Sequence, residues 1–203
     1  LEDRLGNYLV KLNTKELTDA QTRQTSKFLH SLTNLERISD HAVNLANLAA
    51  EMHAKNLSFS EQATQEMSVC MAAVREIVDL AYEAISGDDM KVARKVEPLE
   101  EVIDTLTEDL KIQHINRLQA GQCTLELGFI FNDCINNFER VADHCSNLAV
   151  SVLELGEQQI ESHDYLRSIK QGDTEDYRQQ LRAFELKYCS PLRSEINGAN
   201  QEN

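Results

Sequence analysis

Asn34 to Ala46 reads NLERISDHAVNLA, and Asn137 to Ala149 reads NFERVADHCSNLA. Glu36, Arg37, Asp40, His41, Asn44, Leu45 and Ala46 return as Glu139, Arg140, Asp143, His144, Asn147, Leu148 and Ala149. The residues between them drift while this polar set stays, which packing alone does not require. Self-similarity of this kind marks a repeated structural unit. The chain therefore reads as two copies of one helical unit, each carrying a carboxylate pair.

Working outward, the stretch around each copy keeps a helical rhythm. Phe28, Leu32, Leu35, Ile38, Ala42, Leu45, Ala49 and Met52 recur in steps of three and four, as do Leu127, Phe131, Cys134, Phe138, Val141, Cys145, Leu148 and Val152. Both describe long bundle helices. The first is capped by Thr18 or Asp19 and runs to about His53. The second is capped by Thr124 and broken by Gly156. Upstream, Leu1, Leu5, Leu9 and Leu12 predict a short helix. Between the copies, Ser58 with Glu61 forms a capping box for a helix through Ile85. Asp88 or Asp89 then starts a short piece from Met90 to Glu97. Pro98 sits in the first turn of a helix reaching about Gln119, with Gly121 past its end. A weakly patterned polar helix follows Gly156, and Gly172-Asp173 opens a last helix to about Tyr188. From Pro191 the tail is polar and predicted to be disordered. No segment carries a strand pattern, so the fold class is all-α.

Composition agrees. Two prolines, seven glycines, no tryptophan and 5% aromatic residues favour helix. The formal net charge of -14 would repel a phosphate backbone and offers no basic face to anionic lipid, which argues against nucleic-acid binding. Cations are its natural partners. Five cysteines without Cys-x-x-Cys spacing read as reduced thiols in a cytosolic setting. No apolar run is long enough to span a bilayer. The chain begins at Leu1 inside a helical pattern, and reads as a fragment of something longer.

The chemistry lies in the carboxylates. Residues four apart on an α-helix share a face, offset by about 40°. Glu36 with Asp40, and Glu139 with Asp143, each border the apolar row, and Asn44 and Asn147 continue the two polar rows. A third pair, Glu100 and Asp104, stands on the preceding helix in PLEEVIDTL. Helices joined through Gly121 run antiparallel, with Asp104 and Asp143 about equally far from the turn. The two pairs then face each other, with up to four carboxylates around one point. Their repulsion needs an arginine or a cation to offset it. All-oxygen ligation suits hard or borderline cations such as Mg, Mn or Fe. Arg37 and Arg140 read as structural partners of nearby carboxylates. His41 and His144 point about 100° away from the aspartates and read as packing groups, or supports for a ligand, rather than metal ligands. Without Glu-x-x-His, a Gly-rich phosphate loop, a nucleophile elbow or His-Glu-x-x-His, the chain carries no enzyme signature.

At these residues the chain resembles the PhoU family, whose repeat carries a helix reading Glu-Arg-Ile-Gly-Asp, then His or similar, then Asn three residues later. It stands here as ERISDHAVN from Glu36 and ERVADHCSN from Glu139, with Glu100 and Asp104 matching the family's companion Glu-x-x-x-Asp. EMHAKNLSFSEQA and HINRLQAGQCTLELGF are further similar to the cytosolic C-terminal PhoU-like region of bacterial sodium/phosphate cotransporters. The resemblance implies two pseudo-repeated three-helix bundles of long antiparallel helices. It also implies multinuclear metal clusters on the acidic motifs, and a role in regulating phosphate uptake or signalling. The metal set is then Glu36, Asp40, Glu100, Asp104, Glu139 and Asp143, with Arg37, Asn44, Arg140 and Asn147 in support. Fe, Zn, Mn, Mg and Ni all remain open as the ion. The expected partners are the transmembrane part of the same transporter chain and phosphate-signalling proteins. A homo-oligomer is also open, and the setting is the cytoplasmic side of the cell membrane.

The first copy departs from the pattern, since ahead of its motif helix only Glu2 and Asp3 offer a companion pair. Its bundle is expected to be truncated and its metal pocket incomplete. The expected division is residues 1–57 for the first repeat, 58–157 for the second, 158–190 for a helical extension and 191–203 for the tail. The last helix, Thr174 to Tyr188, has no counterpart in the repeat and is a candidate to cover the bundle left open. A competing reading keeps the fold and drops the metal. The doubled motif would then only bridge helices by Arg–carboxylate pairs, in a scaffold for protein–protein contacts.

Overall fold

The computed structural model describes residues 2–157, 175–190 and 192. Among them there is helix and no strand, as the periodicities predict. The helices are α1 (Glu2–Asn13), α2 (Asp19–Ala54), α3 (Glu61–Gly87), α4 (Met90–Ala93), α5 (Val96–Gln119), α6 (Leu125–Glu157) and α7 (Glu175–Phe184). A π-helical turn at Glu185–Cys189 continues α7.

Local chemistry sets these bounds. The Thr18 hydroxyl accepts from the Gln21 N–H and the Gln21 side chain accepts from the Thr18 N–H, the reciprocal box that starts α2. α3 is capped by Ser60, which accepts from the Ala63 N–H, and not by Ser58 as the spacing to Glu61 suggests. Two serines compete there, and the one adjoining the first helical residue has the cap geometry. Asp88, at φ 50°, ends α3 in the left-handed region, and the Asp89 carboxylate then caps α4. α6 extends through Gly156 to Glu157 rather than stopping at the glycine. One glycine costs a helix about 1 kcal/mol against alanine, which packing along a long helix outweighs. The predicted polar helix after Gly156, the start of the last helix at Gly172-Asp173 and the polar tail fall on residues 158–174, 191 and 193–203. These lie outside the described residues.

α3, α5 and α6 form a three-helix bundle around Cys70, Ile77, Leu99, Ile103, Leu106, Phe131, Ile135 and Leu148, all nearly inaccessible to solvent. α2 runs antiparallel to α6 along its length, and α1 packs back on α2. Lys27, buried on α2, pairs with Asp88 at the end of α3 and ties the repeats together.

The two motif helices differ in what covers them. On α6, Phe131, Phe138, Cys145, Leu148, Ala149 and Val152 are buried. Their equivalents on α2, Phe28, Leu35, Ala42, Ala46 and Ala49, are exposed, and Leu45 is half-buried. The pattern is the same, but among the described residues α2 has no neighbour placed as α3 is against α6. The C-terminal helix does not fill that position. α7 packs on α5, and the turn after it packs on α3 and α5, so this segment joins the second bundle. Tyr177 bonds Glu101, Tyr188 bonds Glu76, and Lys187 pairs with Glu76 at 2.8 Å. Burying Tyr188, Cys189 and Leu192 against that bundle is the stronger drive for a segment of this composition.

Candidate metal centre

Two glycines fix how α5 meets α6. Gly121 adopts φ +68° after the last turn of α5, a conformation that costs glycine little. At Gly128 a β-carbon would stand 2.9 Å from His114 Nε2, so glycine permits the close approach of the helices near their turn. From there the helices run antiparallel in a register that places Asp143 opposite Glu100 and Asp104. All three follow core residues, Leu99, Ile103 and Ala142, and therefore stand at the edge of the seam.

One carboxylate oxygen from each of Glu100, Asp104 and Asp143 lies within 4.8 Å of the other two, and no other group of this kind forms among the described residues. Glu139, one turn along, is instead held by Lys111 at 2.6 Å. The structure thus brings together three of the four facing carboxylates and gives the fourth a lysine. Asp143 has a more distant cation in Arg140, at 3.7 Å. Around the trio, Glu97 accepts a hydrogen bond from the Ser146 hydroxyl at 2.6 Å, and Glu101 accepts one from Tyr177.

Proximity raises the cost of charge. Burial first, and then the Asp104 carboxylate, push Glu100 up to about 8. Burial, followed by Asp143 and Glu139, pushes Asp104 up to about 6, against a lowering by Lys111. A trio of crowded oxygens that resists ionising on its own is the donor set a hard or borderline cation favours, because the cation supplies the missing charge. The residues present fit such an ion.

The first copy is arranged differently. Glu36 is half-buried and Asp40 exposed on α2, and Arg37 stands 3.9 Å from Glu36. Asp3 on α1 is exposed. The six candidate ligands thus fall into a clustered trio, a lysine-paired glutamate, and the α2 pair. Asn44 donates to the Asn137 side chain at 3.3 Å, while Asn147 lies exposed across the same helix pair.

His41 and His144 are packing groups, in an arrangement the spacing did not reveal. Their rings stack at 5.7 Å between centroids across the α2–α6 seam. His41 Nδ1 meets Asn137 Oδ1 at 2.8 Å, and His144 Nδ1 meets Asn34 Oδ1 at 3.0 Å. Each asparagine donates its NH2 to a backbone carbonyl one turn back, leaving its oxygen as the acceptor. Both histidines therefore carry their proton on Nδ1. Asn34 and Asn137 open the two copies of the motif, and that shared first letter was the available signal. Burial, and then the neighbouring His41 ring, lower the pKa of His144. Burial raises the thiols of Cys70 and Cys145 to about 12, and no disulfide joins any of the five cysteines.

Comparison with known proteins bears on this arrangement. The model of the PhoU domain family matches residues 1–49 and 70–152, more than half of the chain. The chain is also similar to the phosphate-specific transport system accessory protein PhoU homolog 1 of Thermotoga maritima, at 24% identity over 152 residues. That alignment covers 75% of this chain and 64% of the relative, so the chain spans rather less than two thirds of the relative's length. No solved structure gives a significant match.

Proposed function

The chain belongs to the PhoU domain family, and on that premise we propose that it is a regulatory domain for phosphate uptake whose state is set by metal bound at Glu100, Asp104 and Asp143. The observation that carries this reading is the clustering of the three oxygens within 4.8 Å, with two of the carboxyls held above their ordinary range. Glu100, Asp104 and Asp143 would hold the cation, which would offset most of their negative charge and tie α5 to α6. Lys111 keeps Glu139 out of the cluster, Arg140 stands beside Asp143, and Tyr177 keeps Glu101 engaged. Fe, Mn and Mg suit an oxygen-only set best, with Zn and Ni next.

The proposed setting is the cytoplasmic side of a sodium/phosphate cotransporter, with the transmembrane part of the same protein as the partner. Phosphate-signalling proteins, or a second copy of the chain, could share that role. Support comes from the likeness of the stretches around Lys55 and Gly121 to such transporters, and from kinship with an accessory protein of phosphate transport. No helix among the described residues is long and apolar enough to cross a membrane. The proposal includes no catalytic step.

Metal analysis of folded variants tests it. Asp104→Ala and Asp143→Ala should each lose bound Mn(II) or Fe, whereas Asp40→Ala should keep the metal of the second bundle. Unchanged metal content in a folded Asp143→Ala variant would overturn the site, and a wild type that takes up no metal would favour the metal-free scaffold. The Lys111–Glu139 and Arg140–Asp143 pairs would then be the structural content of the motif.

A further inference from the structure

The C-terminal segment has no counterpart in the repeat and falls outside the residues matched to the family. It is nevertheless seated on the helix that carries two of the three clustered carboxylates. α7 packs on α5 with Tyr177 buried, and the Tyr177 hydroxyl donates to a carboxylate oxygen of Glu101. Further along the segment the Tyr188 hydroxyl donates to Glu76 on α3, and Lys187 pairs with the same carboxylate at 2.8 Å. Between these two polar anchors, Leu181 and Phe184 pack against the core of the second bundle. The segment is thus fastened at both ends by a carboxylate of the bundle it covers.

The anchor at Glu101 adjoins the carboxylate trio. Glu101 follows Glu100 directly and precedes Asp104 by one helical turn, which makes it a surface neighbour of Asp104 on α5. By side-chain type it is as good an oxygen ligand as the three that cluster. In its bond to Tyr177, however, it is not a member of the cluster. Glu97, on the same helix, is engaged in a similar way by Ser146. The two hydroxyls differ in what holds them. Ser146 belongs to α6 and is fixed by the core of the bundle, whereas Tyr177 belongs to a segment laid over that core from outside. Only the Tyr177 bond can be released without opening the bundle.

We propose that the C-terminal segment regulates the metal centre: Tyr177 withholds Glu101 from it, and undocking of α7 releases Glu101 as a fourth carboxylate ligand. This control rests on metal at the trio, the reading proposed above. A fourth carboxylate adds negative charge around the ion, and affinity for a hard cation rises with the charge of its ligands. Coupling of this kind is reciprocal, so the ion competes with Tyr177 for Glu101 and in turn loosens α7. Tyr177 acts as a positioning residue, since it touches Glu101 and not the ion.

The test titrates the full chain with Mn(II) by calorimetry at neutral pH and follows hydrogen exchange over Glu175–Cys189 by mass spectrometry. Tyr177→Phe keeps the ring and drops the hydroxyl, and should bind Mn(II) at least about threefold more tightly than the wild type. Glu101→Gln keeps the trio but removes the fourth charge, so adding Tyr177→Phe to it should bring no further gain. That dependence on Glu101 separates withholding from a general effect of the substitution on packing. In the wild type Mn(II) should speed exchange over α7, and in Glu101→Gln it should leave that exchange unchanged. Should Tyr177→Phe fail to fold, exchange in the wild type and in Glu101→Gln decides alone. A wild type that binds Mn(II) while Tyr177→Phe binds it no more tightly would overturn this inference and leave the metal reading standing. A gain that persists in the Glu101→Gln background would overturn it too, as would exchange over α7 that is unchanged or slowed by Mn(II) in the wild type. A wild type that takes up no Mn(II) would remove the metal reading and this control together.

Discussion

Glu100→Gln removes one charge from the trio while keeping its shape, and the structure gives the direction of the result. In the metal-free protein Glu100 titrates near 8, against 4.5 for an ordinary glutamate. Between those values the folded chain holds a proton that the unfolded chain releases, so stability falls as pH rises. The limiting slope is ~1.4 kcal/mol per pH unit for one proton. Asp104, near 6, adds to it only at the lower end of the range. Allowing about half for solvent access, the wild type should lose ~1–2 kcal/mol between pH 6 and pH 8. For a chain of this size that is a fall of about 2–8 °C in Tm. The glutamine cannot ionise, so the variant should melt above the wild type at pH 8 in EDTA, with a flatter pH profile. Manganese should reverse the order. The ion favours the ionised trio, so it should raise the wild-type Tm most at pH 8 and raise that of Glu100→Gln much less. Melting curves at pH 6, 7 and 8, with EDTA or with 1 mM (roughly) MnCl2 as a saturating excess, make the comparison. A metal-free wild type whose Tm is flat or rising from pH 6 to 8 would refute the reasoning. So would a Glu100→Gln variant less stable than wild type at pH 8 in EDTA.

Other consequences follow from the packing. Gly128→Ala places a methyl group 2.9 Å from His114 Nε2 and should cost about 1–3 kcal/mol, read as a lowered urea midpoint. An unchanged midpoint would mean that α5 and α6 approach less closely than described. Phe131→Ala should cost about 3–5 kcal/mol, since that ring is fully buried, while its repeat equivalent Phe28→Ala, 44% exposed, should cost about 1 kcal/mol or less. Equal losses would contradict the unequal covering of the two motif helices. A double-mutant cycle of His41→Ala with Asn137→Ala should show about 0.5–1.5 kcal/mol of coupling in chemical denaturation, and strict additivity would deny the hydrogen bond between them.

What the sequence disclosed, and what it withheld, follows from the range of each interaction. Helix positions are local, and the three-and-four spacing of Phe131, Phe138, Cys145 and Val152 correctly identified a buried row. The same spacing on α2 identified an apolar row that is largely exposed. Periodicity tells which face is apolar, but not whether anything lies against it. The trio was legible because Glu100 and Asp104 share a face and the Gly121 turn sets Asp143 opposite them. Lys111 was not, because its pairing with Glu139 depends on cross-helix register to within one turn. The docking of the C-terminal segment on the second bundle is a tertiary choice that its own composition leaves open. The buried ion pair between Glu66 and Arg117 joins residues on two different helices, without a shared motif to announce it.

The exchange of hydrogen bonds between Asn34 and His144, and between Asn137 and His41, has a further meaning. Each motif carries one donor and one acceptor, and each is read by the opposite copy. This is the grammar of an isologous contact between identical subunits, in which a patch is complementary to itself. The chain is in that sense a dimer whose halves have been joined end to end, and the repeated string is the password both halves must know. A change to the asparagine of one copy is therefore felt at the histidine of the other. A single repeat, freed from its neighbour, would still carry both halves of the code and could pair with its own kind.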